Sequence, residues 1–154
     1  MKDNRAIYFD MDGTIANLYG IENWLADLRK QKSARPYRVA KSLVNMRKLG
    51  KELNRLQALG YTIGIVSWLA KDGTPTYNAK VTRAKLNWLK KHLSVVTWDE
   101  IHIVPYGTPK SKVTAKGGIL FDDDYQNRAE WHCANGSGLA FDEKNILEIL
   151  QKMH

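Results

Sequence analysis

Three apolar runs in this chain each stop abruptly at a small polar or acidic residue. Ala6-Ile7-Tyr8-Phe9 stops at Asp10, Tyr61-Thr62-Ile63-Gly64-Ile65-Val66 stops at Ser67, and Gly118-Ile119-Leu120-Phe121 stops at Asp122-Asp123-Asp124. Runs of this length without polar alternation read as strands buried on both faces, as in a parallel sheet covered by helices. Ile101-His102-Ile103-Val104, ended by Pro105, and Leu139-Ala140-Phe141 add two more. Between the strands, apolar residues recur at helical spacing over 21–32, 37–59 (Val39, Leu43, Met46, Leu49, Leu53, Leu56), 79–92 (Val81, Leu86, Trp88, Leu89) and 145–153. Pro36 separates the first two helices, and Gly60 can close the second. Strands alternating with helices specify an α/β fold built on a doubly wound parallel sheet. In such a sheet the carboxyl ends of the strands share one edge, where ligands bind. Asp10, Asp12, Ser67, Asp122 and Asp123 are therefore expected to converge.

The length, 154 residues, suits a single domain, 1–154, and the 44% hydrophobic and 26% charged content is that of a globular chain rather than a disordered one. One cysteine, Cys133, rules out an internal disulfide framework. No apolar stretch approaches the length of a membrane span, and the run after Arg5 is too short for the apolar region of a signal peptide. A cytoplasmic location is expected. His92, His102, His132 and His154 lack metal-ligand spacing, so a zinc site is not expected. Asn135-Gly136-Ser137-Gly138 reads as a turn before the last strand.

The net charge of +8 is concentrated. Residues 29–55 hold ten Lys or Arg against one acid, Glu52, a net +9, and the rest of the chain is close to neutral. Such a segment is either a solvated helix surface or an electrostatic footprint for a polyanion such as nucleic acid.

Two acids at Asp10-x-Asp12 after a strand, followed by Gly13-Thr14, face a second acidic cluster at Asp122-Asp123. Carboxylates gathered at one edge repel unless a hard cation sits among them, and oxygen ligands suit Mg²⁺. A serine and a lysine at the same edge would bind an anion such as phosphate. Lys110, Lys112 and Lys116 all precede the fourth strand.

With these residues in place the chain resembles the haloacid dehalogenase superfamily. Asp10-Met11-Asp12-Gly13-Thr14 is similar to its first motif, Ser67 to its second, and Lys112 with Asp122-Asp123 to its third and fourth. The resemblance implies a Rossmannoid phosphatase in which Asp10 attacks phosphorus and forms an aspartyl-phosphate, while Asp12 acts as general acid and then base. It also implies Mg²⁺ held by Asp10, the main-chain carbonyl of Asp12, and Asp122 or Asp123. Ser67, Trp68 and Lys112 would lie on the phosphoryl group. Lys112 stands ten residues before Asp122, with Lys116 as the alternative.

The stretches 67–71, 84–89, 106–112 and 120–123 are similar to bacterial and phage 5′(3′)-deoxyribonucleotidases. That likeness implies a reduced helical cap over 18–36 and a nucleoside monophosphate as substrate. Tyr19, Trp24, Tyr37 and Trp68 are candidate base platforms, Trp24 being equally suited to packing within its own helix. The basic segment beside a small cap leaves a polynucleotide-end 3′-phosphatase as the alternative. A non-catalytic nucleotide-binding protein is a third reading, disfavoured because a binder has no need of both Asp10 and Asp12.

Overall fold

The structure is a computed structural model that describes residues 4–136 and 138–154. Five parallel strands form the main sheet: β1 (Ala6–Phe9), β4 (Thr62–Trp68), β5 (Glu100–Val104), β6 (Ile119–Phe121) and β7 (Leu139–Phe141), in the order β5-β4-β1-β6-β7. The register pairs Ile7 with Ile63 on one side and with Ile119 on the other, so β1 is central. The chain winds outward through β4 to β5, then returns across β1 to start again at β6. The strand order reverses between β1 and β6, which is where an open α/β sheet leaves its ligand crevice.

All four residues of β1 are buried, because the sheet is covered on both faces. Ile7, Phe9, Ile63, Ile65 and Phe121 pack on one face against α3 (Met46–Ala58) and α6 (Ile146–Gln151), through Leu49, Leu53, Leu56, Ile146 and Leu150. Ala6, Tyr8, Val66 and Leu120 meet Trp131 of α5 (Tyr125–Asn135) on the other. The central helix α4 (Pro75–His92) starts earlier than the sequence pattern places it. Thr74 caps it by accepting from the Tyr77 backbone N–H, and Pro75 supplies a preset φ at the first position.

The expected continuous helix over 37–59 is broken. A short helix α2 (Arg35–Val39) ends at Ala40, whose backbone is extended, and Lys41–Ser42 form β3. Asn45 then caps α3 by accepting from the Lys48 N–H at 3.0 Å. Val39 and Leu43, counted as members of one apolar stripe, are accordingly exposed. β3 pairs antiparallel with β2 (Ala16–Asn17), a ribbon that the sequence pattern did not reveal. Between the two strands of this ribbon lie a 3₁₀ turn (Leu18–Gly20), α1 (Trp24–Lys30) and α2, so the helical insert expected over 18–36 extends to Val39. Ser137 of the expected glycine turn lies outside the described residues. Among the described residues no helix is long and apolar enough to cross a membrane.

Candidate active site

β1, β4 and β6 deliver their terminal residues to one edge, as the sequence predicts. Asp10 follows β1 and is 7% exposed, Ser67 lies within β4 fully buried, and Asp122 follows β6 fully buried. Oxygens of Asp10, Asp122 and Asp123 lie within 4.8 Å of one another, close enough to share one cation. Gly13 has φ +80°, and a Cβ there would strike the Asp123 carboxylate and the Tyr19 ring. Glycine is thus needed both for the turn and for the approach of the second acidic loop. Thr14 ties the loops together: its hydroxyl lies 3.3 Å from Asp10 Oδ2 and 3.1 Å from Asp123 Oδ1, and it accepts from the Asp123 N–H at 3.1 Å.

The acids strain against one another. Burial, with the Asp10 charge next, pushes Asp122 up to about 6, against the opposing pull of Lys110. Burial, followed by Asp10 and Asp122, pushes Asp123 up to about 7. Burial also raises Asp12, with Lys85 pulling the other way. All the donors are hard oxygens, and a divalent cation would relieve their repulsion, so the residues present fit such an ion.

Two buried lysines complete the cluster, and neither was singled out from the sequence. Lys110 Nζ lies 2.9 Å from Asp10 Oδ1 and 2.6 Å from Asp122 Oδ2. Lys85, on α4, donates to Asp12 Oδ2 at 2.8 Å, to Ser67 Oγ at 2.7 Å and to the Trp68 carbonyl at 2.6 Å. The Tyr37 ring lies over the same ammonium, its centroid 5.1 Å away.

Of the lysines before β6, the structure brings Lys110 to the acids in place of the expected Lys112. Lys110–Lys112 forms a 3₁₀ turn, and its middle residue Ser111 is pinned to Glu130 by its N–H (3.0 Å) and hydroxyl (2.6 Å). With Ser111 fixed on α5, Lys110 turns inward and Lys112 is left exposed. Lys116, the alternative, is part-buried on the far side of that turn, its N–H meeting the Tyr8 hydroxyl at 3.3 Å. Lys85 did carry a sequence signal. It shares the helix stripe of Tyr77, Val81, Ala84, Trp88 and Leu89, all of them buried. A lysine on a buried stripe calls for a partner.

A cleft of about 530 Å³ opens over the acids and is lined by Asp10, Asp12, Lys110, Asp122 and Asp123 at its floor. Tyr19, Trp24, Tyr37, Trp68 and Tyr106 contribute rings to its walls. Tyr19 and Trp24 meet edge to face at 4.9 Å, and Trp68 and Tyr106 lie 4.8 Å apart. The Trp68 indole N–H is committed to the Thr108 carbonyl at 2.8 Å, and the Trp68 carbonyl to Lys85. Trp68 therefore offers the cleft its ring, with the indole N–H turned away. Tyr106, 53% exposed, was not among the expected rings. Asp124 stands outside the cluster as the cap of α5, accepting from the N–H groups of Gln126 and Asn127.

No family model matches the chain, and no curated protein matches it significantly by sequence. Solved structures do share its fold. The D,D-heptose 1,7-bisphosphate phosphatase of B. bronchiseptica, complexed with magnesium and phosphate, superposes with a TM-score of 0.59 at 14% identity, covering 99% of this chain and 100% of that one. The corresponding phosphatase of Burkholderia thailandensis gives a TM-score of 0.55 at 10% identity, over 95% and 96% of the two chains. The α/β Rossmannoid fold expected from the sequence is the fold observed.

Proposed function

We propose that the chain is a Mg²⁺-dependent phosphomonoesterase of the haloacid dehalogenase type, acting on a nucleotide through an aspartyl-phosphate on Asp10. The observation that carries this reading is the meeting of Asp10 with Asp122 and Asp123 across adjacent strand ends, with the ammonium of Lys110 among them and Asp12 on the same cleft. The two phosphatases that share the fold, one of them holding magnesium and phosphate, support the same reading.

In this mechanism a carboxylate oxygen of Asp10 attacks phosphorus in line as the bond to the leaving oxygen breaks. Thr14 and Lys110 each hold one oxygen of Asp10, which fixes the carboxylate plane and leaves a lone pair for attack. Asp12 gives its proton to the leaving oxygen. It then takes a proton from the water that attacks the phospho-aspartate, releasing phosphate and restoring Asp10. Ser67 and Lys110 hold the phosphoryl oxygens and offset their charge. The Asp10 carboxylate, the Asp12 main-chain carbonyl and Asp122 or Asp123 would hold the metal, which when bound acts as a Lewis acid toward the phosphoryl group.

The nucleotide assignment rests on the rings. Tyr19, Trp24, Trp68 and Tyr106 at the cleft walls suit a stacked base better than a polar sugar. The segment 18–39 carries two of those rings and is the cap of this reading. The test is a phosphatase screen over nucleoside monophosphates, sugar phosphates and a generic aryl phosphate, with Mg²⁺ and with chelator. Asp10→Asn should lower kcat on the order of 10⁴-fold in a folded protein. Undiminished turnover in that variant would sink the mechanism, and preferential hydrolysis of a sugar bisphosphate would sink the nucleotide assignment.

A further inference from the structure

A second groove lies beside the cleft, between α2 and α4. It encloses about 540 Å³ and is lined by four cations, Lys32, Arg38, Lys80 and Arg83, with Ser33, Thr76 and Asn87 and a floor of small alanines. No acid lines it. All four cations are exposed, and among the described residues none forms an ion pair with a carboxylate. Lys80 donates to the Lys32 carbonyl at 3.3 Å. Like charges held together without a counter-charge cost stability, so a groove built this way is complementary to an anion from outside the chain.

Groove and cleft share one wall. Leu28, Arg29 and Tyr37 line the cleft, whereas Lys32, Ser33, Ala34 and Arg38 line the groove, so the chain over 28–38 has one side on each. We propose that the groove seats the sugar–phosphate backbone of a single-stranded nucleic acid whose terminal phosphate enters the cleft. This rests on the phosphatase reading above and makes its nucleotide the last residue of a strand. The lining stretch of α4, Thr76 to Asn87, runs for about 16 Å, enough for a few nucleotides. Cations with interspersed hydroxyl and amide groups are the usual phosphate and sugar contacts of a strand, and the rings of the cleft supply stacking for its last base. An acidic peptide would match the charge of the groove but would bring no phosphoryl group to Asp10.

The test uses the full chain and the double variant Lys80→Glu/Arg83→Glu, neither position belonging to the catalytic cluster. With 5′- and 3′-phosphorylated 12-mer oligothymidylates, kcat/KM should fall tenfold or more on one of the two ends. The same variant should leave kcat/KM for an aryl phosphate unchanged. Fluorescence anisotropy with an unphosphorylated 12-mer reads the groove without turnover. Neutralising two phosphates accounts for a salt slope of about 1.4, which the variant should lose. Lys80→Ala/Arg83→Ala, expected to give a smaller loss in the same direction, serves if the reversal does not fold. Arg47→Glu/Lys51→Glu on α3 applies the same charge change elsewhere and should leave oligonucleotide binding intact.

An equal loss in that control, an unchanged salt slope in the groove variants, or displacement of the 12-mer by poly-glutamate at matched charge would each overturn the proposal. Absence of turnover on every phosphomonoester, with groove-dependent binding retained, would instead overturn the phosphatase reading alone.

Discussion

Lys85 Nζ lies 2.8 Å from Asp12 Oδ2, joining the middle of α4 to the loop after β1 across 73 positions of sequence. The lysine side chain is 1% exposed and the aspartate 18%, so one partner is sealed in protein while the other meets the cleft. The same ammonium holds Ser67 Oγ, which couples the proposed acid–base group to the proposed phosphate ligand. We predict that Lys85→Met, which keeps the volume and removes the donor, costs about 3 kcal/mol of stability. It should also lower kcat by more than tenfold with a smaller change in KM. A Tm and a kcat both equal to those of the parent would show that the contact is idle.

Lys110 should matter where Lys112 does not. Removing the Lys110 ammonium leaves Asp10 and Asp122 facing each other without a counter-charge, so Lys110→Met should lose most activity and lower the Tm by several degrees. Lys112→Ala removes an exposed charge and should change neither. The reverse ranking in a side-by-side assay would restore Lys112 to the site.

The repulsion among Asp10, Asp122 and Asp123 predicts stabilisation by a divalent cation. At a Mg²⁺ concentration about 100 times its Kd, binding contributes about 2.7 kcal/mol, a rise of roughly 5–10 °C in Tm for a domain of this size. Chelator should reverse the rise, and Asp122→Asn/Asp123→Asn should abolish it. An equal thermal shift in that double variant would place the ion elsewhere.

Glu100 gives an acid-side prediction remote from the cluster. Burial by itself would raise its carboxyl, but hydrogen bonds from His102 (2.7 Å), Tyr8 (2.5 Å) and the Ala115 N–H (3.0 Å) outweigh it and hold the group below its ordinary range. A lowered value means that its contribution to stability is complete above the unfolded pKa of about 4.3 and is lost as pH falls through the folded value. The stability gap between the parent and Glu100→Gln, measured by urea unfolding, should therefore be constant near neutrality and shrink below about pH 4. A gap that widens on acidification would contradict the assignment.

The residues that sequence reasoning located, Asp10, Asp12, Ser67, Asp122 and Asp123, sit at or beside the ends of strands. Their convergence follows from strand direction alone, which apolar runs report directly. Lys85 and Lys110 converge by reaching sideways, one from a helix and one from a turn anchored by Glu130 on α5; Lys85 is marked only by its place on an otherwise apolar helical stripe, and Lys110 by nothing in local spacing. The break at Ala40 was hidden for a related reason. Val39 and Leu43 keep helical spacing, and only the pairing of Lys41–Ser42 with Ala16–Asn17, a contact between distant segments, interrupts the helix.

β1 lies between β4 and β6, and its partners join the chain 56 and 112 positions later, at Ile63 and Ile119. The carboxylates at 10 and 122 therefore meet only after the second half of the chain has crossed back over the first, among the slowest kinds of contact for a chain to make. A nascent or partly folded chain carries the same acids as two separate, hydrated pairs, Asp10 with Asp12 and Asp122 with Asp123, which do not share an ion. The proposed hydrolytic activity would thus arrive no earlier than the pairing of β6 with β1, and its onset in a refolding experiment would time that insertion.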